Sequence, residues 1–304
     1  MKLIIGLLGA GLVLGACATD DTDSIESAIG SSPELNNLPR HFPTNNAHAA
    51  GKGGGGSSLL YHNGPTITNA HVVTIFWGSS WSGNAIATSI NNYVAAYGTT
   101  GEYNTITQYS GIQKSNLAAG TWTDTSNPPT NVTDSAIQGE VEKYLQTHTF
   151  DPNAIYEVFL PNGSYSSDGS STSCGGPNLA YCAYHSNYAG AHGNTRYGSM
   201  PYPSCGGCQT SGFNVAQNFE HFISHETREA VTDPDGTGWW DRRGYEADDK
   251  CAWSPTPFGD GSVGTNGDGT AFAFQYEWRN ANGVCQPCRI AIQPASAPPP
   301  TVPT

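Results

Sequence analysis

Runs of apolar residues predict four β-strands in the folded part of the chain. Residues 71–77 (HVVTIFW) and 155–160 (IYEVFL) are almost entirely apolar, which is typical of buried strands. Residues 179–185 and 196–202 contain more polar positions and predict two shorter, more polar strands.

Helical spacing of apolar residues predicts three helices. The first covers residues 82–97, and the second covers 135–147 with Asp134 as its N-cap. A long third helix is predicted over 214–231, where the following Asp-Pro pair ends it. The C-terminal third, 235–290, is rich in Gly and Trp and has few periodic runs. This order of elements indicates a single domain of the α+β class, or of the α/β class.

The first seventeen residues have the organisation of an export signal. Lys2 precedes an apolar run over 3–14, which is too short to span a bilayer. Leu14-Gly15-Ala16-Cys17 resembles a bacterial lipobox, whose cysteine is lipidated and becomes the mature N-terminus. The alternative is an ordinary signal peptide in which Cys17 is incidental. Ala18 is not an inner-membrane retention aspartate, so we expect a lipoprotein of the outer membrane or cell surface, or a form released from it.

Two segments flank the predicted folded unit, residues 59–290. Residues 18–58 begin with acidic residues and end in a Gly-rich run, which predicts a flexible tether. The tail of residues 291–304 is rich in Pro and Ala and is not expected to pack. Contact with a membrane is therefore expected only through the lipid anchor.

The net charge of the chain argues against two classes of binding partner. The 304 residues include 12 Lys and Arg against 25 Asp and Glu, a formal net charge of −13. Nucleic acids and anionic lipid surfaces are bound by clustered basic side chains, so neither is an expected partner. With 37% hydrophobic residues the chain can build a core, and its many Gly and Pro residues indicate loops rather than disorder.

Seven cysteines follow Cys17, and an exported chain is expected to oxidise them. Their number predicts three disulfides and one remaining thiol. They are Cys174, Cys182, Cys205, Cys208, Cys251, Cys285 and Cys288. Two pairs of them, Cys205/Cys208 and Cys285/Cys288, have Cys-x-x-Cys spacing and could instead bind a structural zinc ion. The wide separation of the two pairs along the chain and the oxidising compartment favour disulfides.

The long third helix carries the candidate chemistry. At about 100° per residue, Glu226 projects into the middle of its apolar face, with His225 and Glu229 at the flank, one turn apart. A carboxylate among phenylalanines is destabilising unless it is paired or binds a metal ion. This polar cluster is therefore expected to have a partner.

The spacing His-Glu-x-x-Glu is related to the His-Glu-x-x-His helix of zinc hydrolases. In that helix two residues four positions apart bind zinc and the intervening Glu deprotonates a water molecule. We accordingly expect His225 and Glu229 to bind zinc and Glu226 to be the catalytic base. Glu246, a short loop downstream, is the predicted third ligand.

Several alternatives to this assignment remain open. Asp249 could replace or support Glu246, while His221 and His185 are rival ligands. His185 or Tyr245 could also stabilise an oxyanion. Without a metal ion, the acidic residues of the helix would instead lie on a solvated or salt-bridged surface, with Arg228 close by.

The block Ser224-His-Glu-Thr-Arg-Glu-Ala-Val-Thr-Asp-Pro234 is distinctive, and further segments accompany it. They are residues 60–65, 73–77, 133–134, 158–161, 182–185, 238–241 and 246–251. Together they resemble the EXORDIUM/phosphate-induced protein family, in its bacterial branch, over most of residues 59–290. The resemblance implies a fold shared with secreted, wall-associated plant growth proteins that have no established enzymatic activity. It also implies a zincin-like metallopeptidase motif, which the bacterial branch keeps and the plant members lack.

We therefore predict a secreted or lipid-anchored zinc-dependent hydrolase, a metallopeptidase, with a peptide or an envelope polymer as its substrate. The alternative is a non-catalytic cell-envelope protein that binds polysaccharide or another surface component, as the plant members imply. In that case Glu226 and Glu229 would be ion-pair partners of Arg228, Arg242 or Arg243.

Overall fold

The computed structural model of the protein describes residues 38–46 and 57–287. The predicted signal segment with Cys17, the 291–304 tail and Cys288 lie outside the described residues, as does most of the predicted tether. Within the described ranges, no helix is both long and apolar enough to cross a membrane.

The described residues combine helices with several small sheets and one large sheet. The helices are α1 (Ala85–Tyr97), α2 (Gly101–Asn104), α3 (Asp134–Leu145) and α4 (Val215–Thr232). The strands are β1 (Arg40–Pro43), β2 (Leu60–Tyr61), β3 (His71–Trp77), β4 (Ala118–Asp124), β5 (Asn131–Thr133), β6 (Ala154–Phe159), β7 (Tyr165–Asp168), β8 (Ser171–Thr172), β9 (Tyr181–Gly190), β10 (Gly193–Met200), β11 (Trp239–Trp240), β12 (Phe258–Thr265), β13 (Ala271–Phe274), β14 (Glu277–Arg279) and β15 (Val284–Gln286). This mixture of helices and sheets agrees with the predicted class.

The large sheet has six strands in the order β1-β9-β10-β6-β3-β4. Strands β10, β6, β3 and β4 run parallel, whereas β9 is antiparallel to β10 and β1 is antiparallel to β9. The sheet is therefore parallel on one side and ends in an antiparallel edge, and β1 forms that edge.

Helices cover the sheet on both faces because its strands are apolar on both faces. Along β3, Val72 and Phe76 pack into the core that contains α1 and α4. The alternate positions Val73 and Ile75 pack into a second core with α3 on the opposite face. The period of two along an extended strand divides these side chains between the two layers.

Helix α4 lies between the sheet and the C-terminal part of the chain. Asn214 caps its N-terminus in a capping box with Gln217, and Asp233 follows its last residue, so the predicted limits differ from the observed ones by one residue at each end. Every residue from 216 to 232 is buried. The helix is thus enclosed on all sides, and its polar side chains face protein groups instead of water.

Strand β1 lies within the segment that the sequence predicts to be a tether. It pairs with β9, with Arg40 opposite His185, and the side chain of Phe42 is fully buried. The indole N–H of Trp253 also donates a hydrogen bond to the carbonyl oxygen of Pro43 at 2.9 Å. This part of the segment is therefore folded, because one buried aromatic ring and a strand pairing hold it in place.

Three disulfides cross-link the described residues, as the cysteine count predicts. They join Cys174 to Cys205, Cys182 to Cys208, and Cys251 to Cys285. Because both cysteines of the first Cys-x-x-Cys pair are consumed in different disulfides, that pair is not a zinc ligand set. The disulfides are compatible with an exported protein.

Candidate metal centre

Three parts of the fold bring the predicted site residues together. Helix α4 carries the adjacent residues His225 and Glu226, and Glu229 lies one turn after His225. Strand β9, which packs against α4, contributes His185. The segment after β11, which continues into a short 3-10 helix at Asp249–Cys251, contributes Glu246 and Asp249.

Both imidazoles of the cluster are buried and oriented in the same manner. The Nδ1 atom of His185 is 2.9 Å from Oε2 of Glu226, and the Nδ1 atom of His225 is 3.1 Å from Oε1 of Gln275. In each ring a proton on Nδ1 donates to an oxygen acceptor, which leaves the Nε2 lone pair available. Neither Nε2 atom has a hydrogen-bond partner among the described residues.

The unpaired Nε2 atoms face carboxylates. The Nε2 atom of His225 lies 3.1 Å from Oε2 of Glu229 and 3.8 Å from Oδ1 of Asp249. The Nε2 atom of His185 lies 3.7 Å from Oε1 of Glu246, which also has no hydrogen-bond partner in the described part of the chain. The two rings therefore present their free nitrogens to three acidic side chains.

Backbone donors hold the acidic side chains in place. The N–H of Asp249 donates to Oε1 of Glu229 at 2.7 Å, and the N–H of Glu246 donates to Oδ2 of Asp249 at 3.2 Å. The loop is thereby attached to the helix through the carboxylates themselves. This attachment fixes where the downstream acids stand relative to α4.

The donor atoms fall into two groups that share one residue. The first group is His185, Glu229 and Glu246, and the second is His225, Glu229 and Asp249. Within each group the donor atoms all lie within 4.8 Å of one another. The predicted ligands His225, Glu229 and Glu246 are therefore neighbours, but Glu246 is grouped with His185 and Asp249 with His225.

Burial disfavours the charged forms of these side chains. It raises the pKa of Glu226 and of Glu246 to about 7, and the pKa of Asp249 to about 8. Burial, followed by the neighbouring carboxylates, also raises the pKa of Glu229, while burial lowers the pKa of His225. The cluster therefore concentrates acidic groups in a place where burial disfavours their ionised forms, and a bound cation would offset that cost.

Strand β1 covers the cluster from outside. The Nε atom of Arg40 lies 3.6 Å from Oδ2 of Asp233 and 3.7 Å from Oε2 of Glu246. The ring of Phe42 stacks on the imidazole of His225, with 4.1 Å between the ring centroids. One basic and one aromatic side chain thus close the centre on the side of the sheet edge.

The remaining predicted residues have other surroundings. His221 points its Nε2 atom at the carbonyl oxygen of Ala252 and at Oε1 of Gln275, at 3.2 and 3.1 Å, and it belongs to neither donor group of the described residues. Tyr245 donates its backbone N–H to Asp241 at 3.2 Å. Neither residue shares the geometry of the two imidazoles described above.

The expectation of a solvated or salt-bridged acidic surface is wrong. Glu226 and Glu229 are each only 1% exposed. Arg228, also on α4, pairs with Asp248 and lies with its Nε atom 2.9 Å from Oε2 of Glu277. The basic residue closest in sequence therefore neutralises a different pair of acids.

Four residues of the centre are absent from the sequence-based prediction. They are Arg40, Phe42, Asp233 and Gln275. The first two lie in the predicted tether, and Gln275 lies in the irregular C-terminal third. Asp233 stands in the distinctive block as the helix stop, and nothing in that block assigns it to the site, whereas the other three lie outside every spaced motif.

Comparisons of the chain with protein-family models, with curated proteins and with solved structures return no match.

Proposed function

We propose that this chain is an exported, zinc-dependent hydrolase that cleaves peptide bonds. One observation supports the metal-binding part most strongly. The two buried imidazoles of His185 and His225 each hydrogen-bond through Nδ1 to a side-chain oxygen. Each also presents to carboxylates an Nε2 atom that has no hydrogen-bond partner among the described residues. Histidines that bind metal ions adopt this arrangement, because the second hydrogen bond fixes the tautomer and the ring orientation.

Zinc suits the donor set because it binds imidazole nitrogen and carboxylate oxygen in small, closed geometries. The ligands we propose are Glu229, which belongs to both donor groups, with His225 and Glu246, one from each group; His185 and Asp249 are the further donors of those groups. A zinc ion bound there would supply Lewis acidity, polarising a peptide carbonyl group and lowering the pKa of water.

Glu226 is the proposed general base. Its Oε2 atom is occupied by His185, whereas its Oε1 atom is buried and has no hydrogen-bond partner within the described ranges. Burial raises its pKa to about 7, which is close to the value that favours proton transfer at neutral pH. A carboxylate with one fixed and one free oxygen can accept a proton without losing its orientation.

A second candidate function is supported by the closure of the centre. The donor side chains are between 0 and 3% exposed, apart from Asp249 at 16%, and Phe42 stacks directly on one imidazole. Structural zinc sites are closed, whereas catalytic ones keep a position open. A non-catalytic cell-envelope protein with a structural metal ion is therefore the alternative.

The two candidates are separated by metal content and hydrolysis measured on the same samples. The full chain is purified without chelator, its zinc is measured by mass spectrometry, and cleavage of fluorescently labelled casein is followed. We expect bound zinc with hydrolysis, and loss of hydrolysis by about 100-fold or more in Glu226→Gln with zinc retained. Bound zinc without any cleavage by the wild-type protein would favour the non-catalytic alternative, and absence of zinc would refute both metal-dependent versions.

Glu220→Gln is the matched control for this experiment. Glu220 is also buried on α4, but its Oε2 atom accepts the backbone N–H of Ala273 at 2.8 Å and lies outside both donor groups. We expect this variant to keep zinc and hydrolysis. If Glu226→Gln loses zinc together with activity while the control keeps both, Glu226 acts by orienting His185 and the base is a different group.

Export and lipid attachment through Cys17 are part of the same proposal. The three disulfides are compatible with an oxidising compartment. Radiolabelled palmitate should be incorporated into the wild-type chain expressed in a bacterium and not into Cys17→Ser. Equal labelling of the two chains would refute lipidation at this cysteine.

A further inference from the structure

The donor atoms of the centre are more numerous than one zinc ion needs, and they are divided between two sides of Glu229. His185 and Glu246 lie on one side, and His225 and Asp249 lie on the other. Each side supplies one imidazole nitrogen and one carboxylate oxygen. Glu229 is common to both groups.

Each group has the dimensions of a single ion site. Donors that bind one ion at about 2.0–2.2 Å lie roughly 3–4 Å apart, and the donor atoms of each group lie within 4.8 Å of one another. Small side-chain rotations would therefore bring each group into coordination distance. Because a carboxylate has two oxygen atoms, Glu229 can contribute one to each group.

Acidic side chains are concentrated on both sides of Glu229. Five carboxylates and one guanidinium are in contact there, namely Glu226, Glu229, Asp233, Glu246, Asp249 and Arg40. Each donor group contains two carboxylates, the shared Glu229 included, and buried carboxylates are paired or bind metal ions, so each group offers anionic oxygen donors to a divalent cation.

We propose that the centre binds two divalent metal ions bridged by the carboxylate of Glu229. One ion is held by His185 and Glu246, and the other by His225 and Asp249. This inference rests on the proposed function, since it divides the same donors between two ions. The substrate groups that suit such a pair are those whose attacking and leaving atoms can each contact one ion, as in two-metal hydrolases with ions about 3.5–4 Å apart.

The stoichiometry of zinc binding tests the inference on the full chain. Protein freed of metal by chelator is equilibrated with zinc chloride by dialysis, and bound zinc is measured after removal of free ions. We expect two equivalents per chain. One equivalent would overturn the two-ion centre but leave the proposed function standing, and no bound zinc would overturn both.

Variants in each of the two donor groups show which residues bind each ion. Glu246→Gln and Asp249→Asn should each retain one tightly bound equivalent, and Glu229→Gln should weaken both. Glu220→Gln, the buried control on the same helix, should retain two. Two equivalents that persist in both Glu246→Gln and Asp249→Asn would show that the second ion binds elsewhere, and would overturn the proposal.

A spectroscopic measurement on the wild-type protein needs no variant to fold. X-ray absorption at the zinc edge of the fully loaded protein should contain metal–metal scattering at about 3.5–4 Å in addition to nitrogen and oxygen scattering at about 2 Å. Half-loaded protein should show less of the metal–metal component. Its absence from protein that holds two equivalents would contradict bridging by Glu229.

Discussion

Glu157 provides a test of the buried electrostatics of this fold that requires no substrate. It lies on β6 and shares the face of Ile155 and Phe159 that packs towards α4, with 0% exposure. The hydroxyl group of Thr227 donates to its Oε1 atom at 2.7 Å, and Oε2 has no hydrogen-bond partner among the residues described. Burial raises the pKa of this carboxyl group to about 8.

The sign of the effect follows from where the proton is bound. Between about pH 4.5 and pH 8 the folded protein keeps the proton on Glu157, whereas the unfolded chain releases it. The free energy of unfolding therefore falls as the pH rises through this interval and levels off above it. At about 1.4 kcal/mol per pKa unit, the loss between pH 5 and pH 8 is about 3–4 kcal/mol.

The substitution Glu157→Gln removes the titrating proton and keeps the shape and the acceptor for Thr227. We expect the variant to gain stability relative to the wild-type protein by about 3–4 kcal/mol between pH 5 and pH 8. Urea unfolding of both proteins, freed of metal and compared at each pH, measures that difference. Because both proteins contain the same other titrating groups, their contributions cancel.

Asp268→Asn is the control for this experiment. The carboxyl group of Asp268 is exposed, and hydrogen bonds from Thr270 lower its pKa, so it titrates below the interval tested. Its stability difference from the wild-type protein should be constant between pH 5 and pH 8. If Glu157→Gln also gives a constant difference, the carboxylate is accommodated in the folded state and the reasoning from burial is refuted.

Three further substitutions test other parts of the fold by chemical unfolding. Phe42→Ala should lower the free energy of unfolding by about 3 kcal/mol, because the ring is fully buried; a loss below about 1 kcal/mol would mean that β1 does not dock. Arg228→Met should cost about 3–5 kcal/mol, because it leaves Asp248 and Glu277 buried without their cation. Changing those two acids to Asn and Gln in the same chain should restore most of that loss, and failure to do so would assign it to packing. Asn214→Ala removes the cap of α4 and should cost about 1 kcal/mol, whereas an unchanged midpoint would contradict the capping box.

Elements with a local signal were predictable from the sequence. Strand β3 has the predicted limits because seven consecutive residues are mostly apolar, and the cap and the Asp-Pro pair mark the ends of α4. Strand β4 has no such signal, since its first four residues are exposed. Its place in the sheet comes from backbone pairing with β3, which a one-dimensional pattern does not encode.

The residues of the candidate site also differ in whether a local sequence signal indicates them. His225, Glu226 and Glu229 were identified because residues on one helix have a fixed spacing. How the downstream acids are shared between the imidazoles depends on how the chain returns to α4. Gln275 orients His225 from a segment some fifty residues away along the chain. No rule based on local spacing could therefore indicate Gln275.

Two of the three disulfides stand beside segments that carry the donors. Cys182 is three residues before His185 on β9, and Cys251 is two residues after Asp249. These two disulfides therefore anchor the strand on one side of the centre and the loop on the other. If the centre binds a metal ion as proposed, a chain whose cysteines are kept reduced should bind that ion more weakly than the oxidised chain.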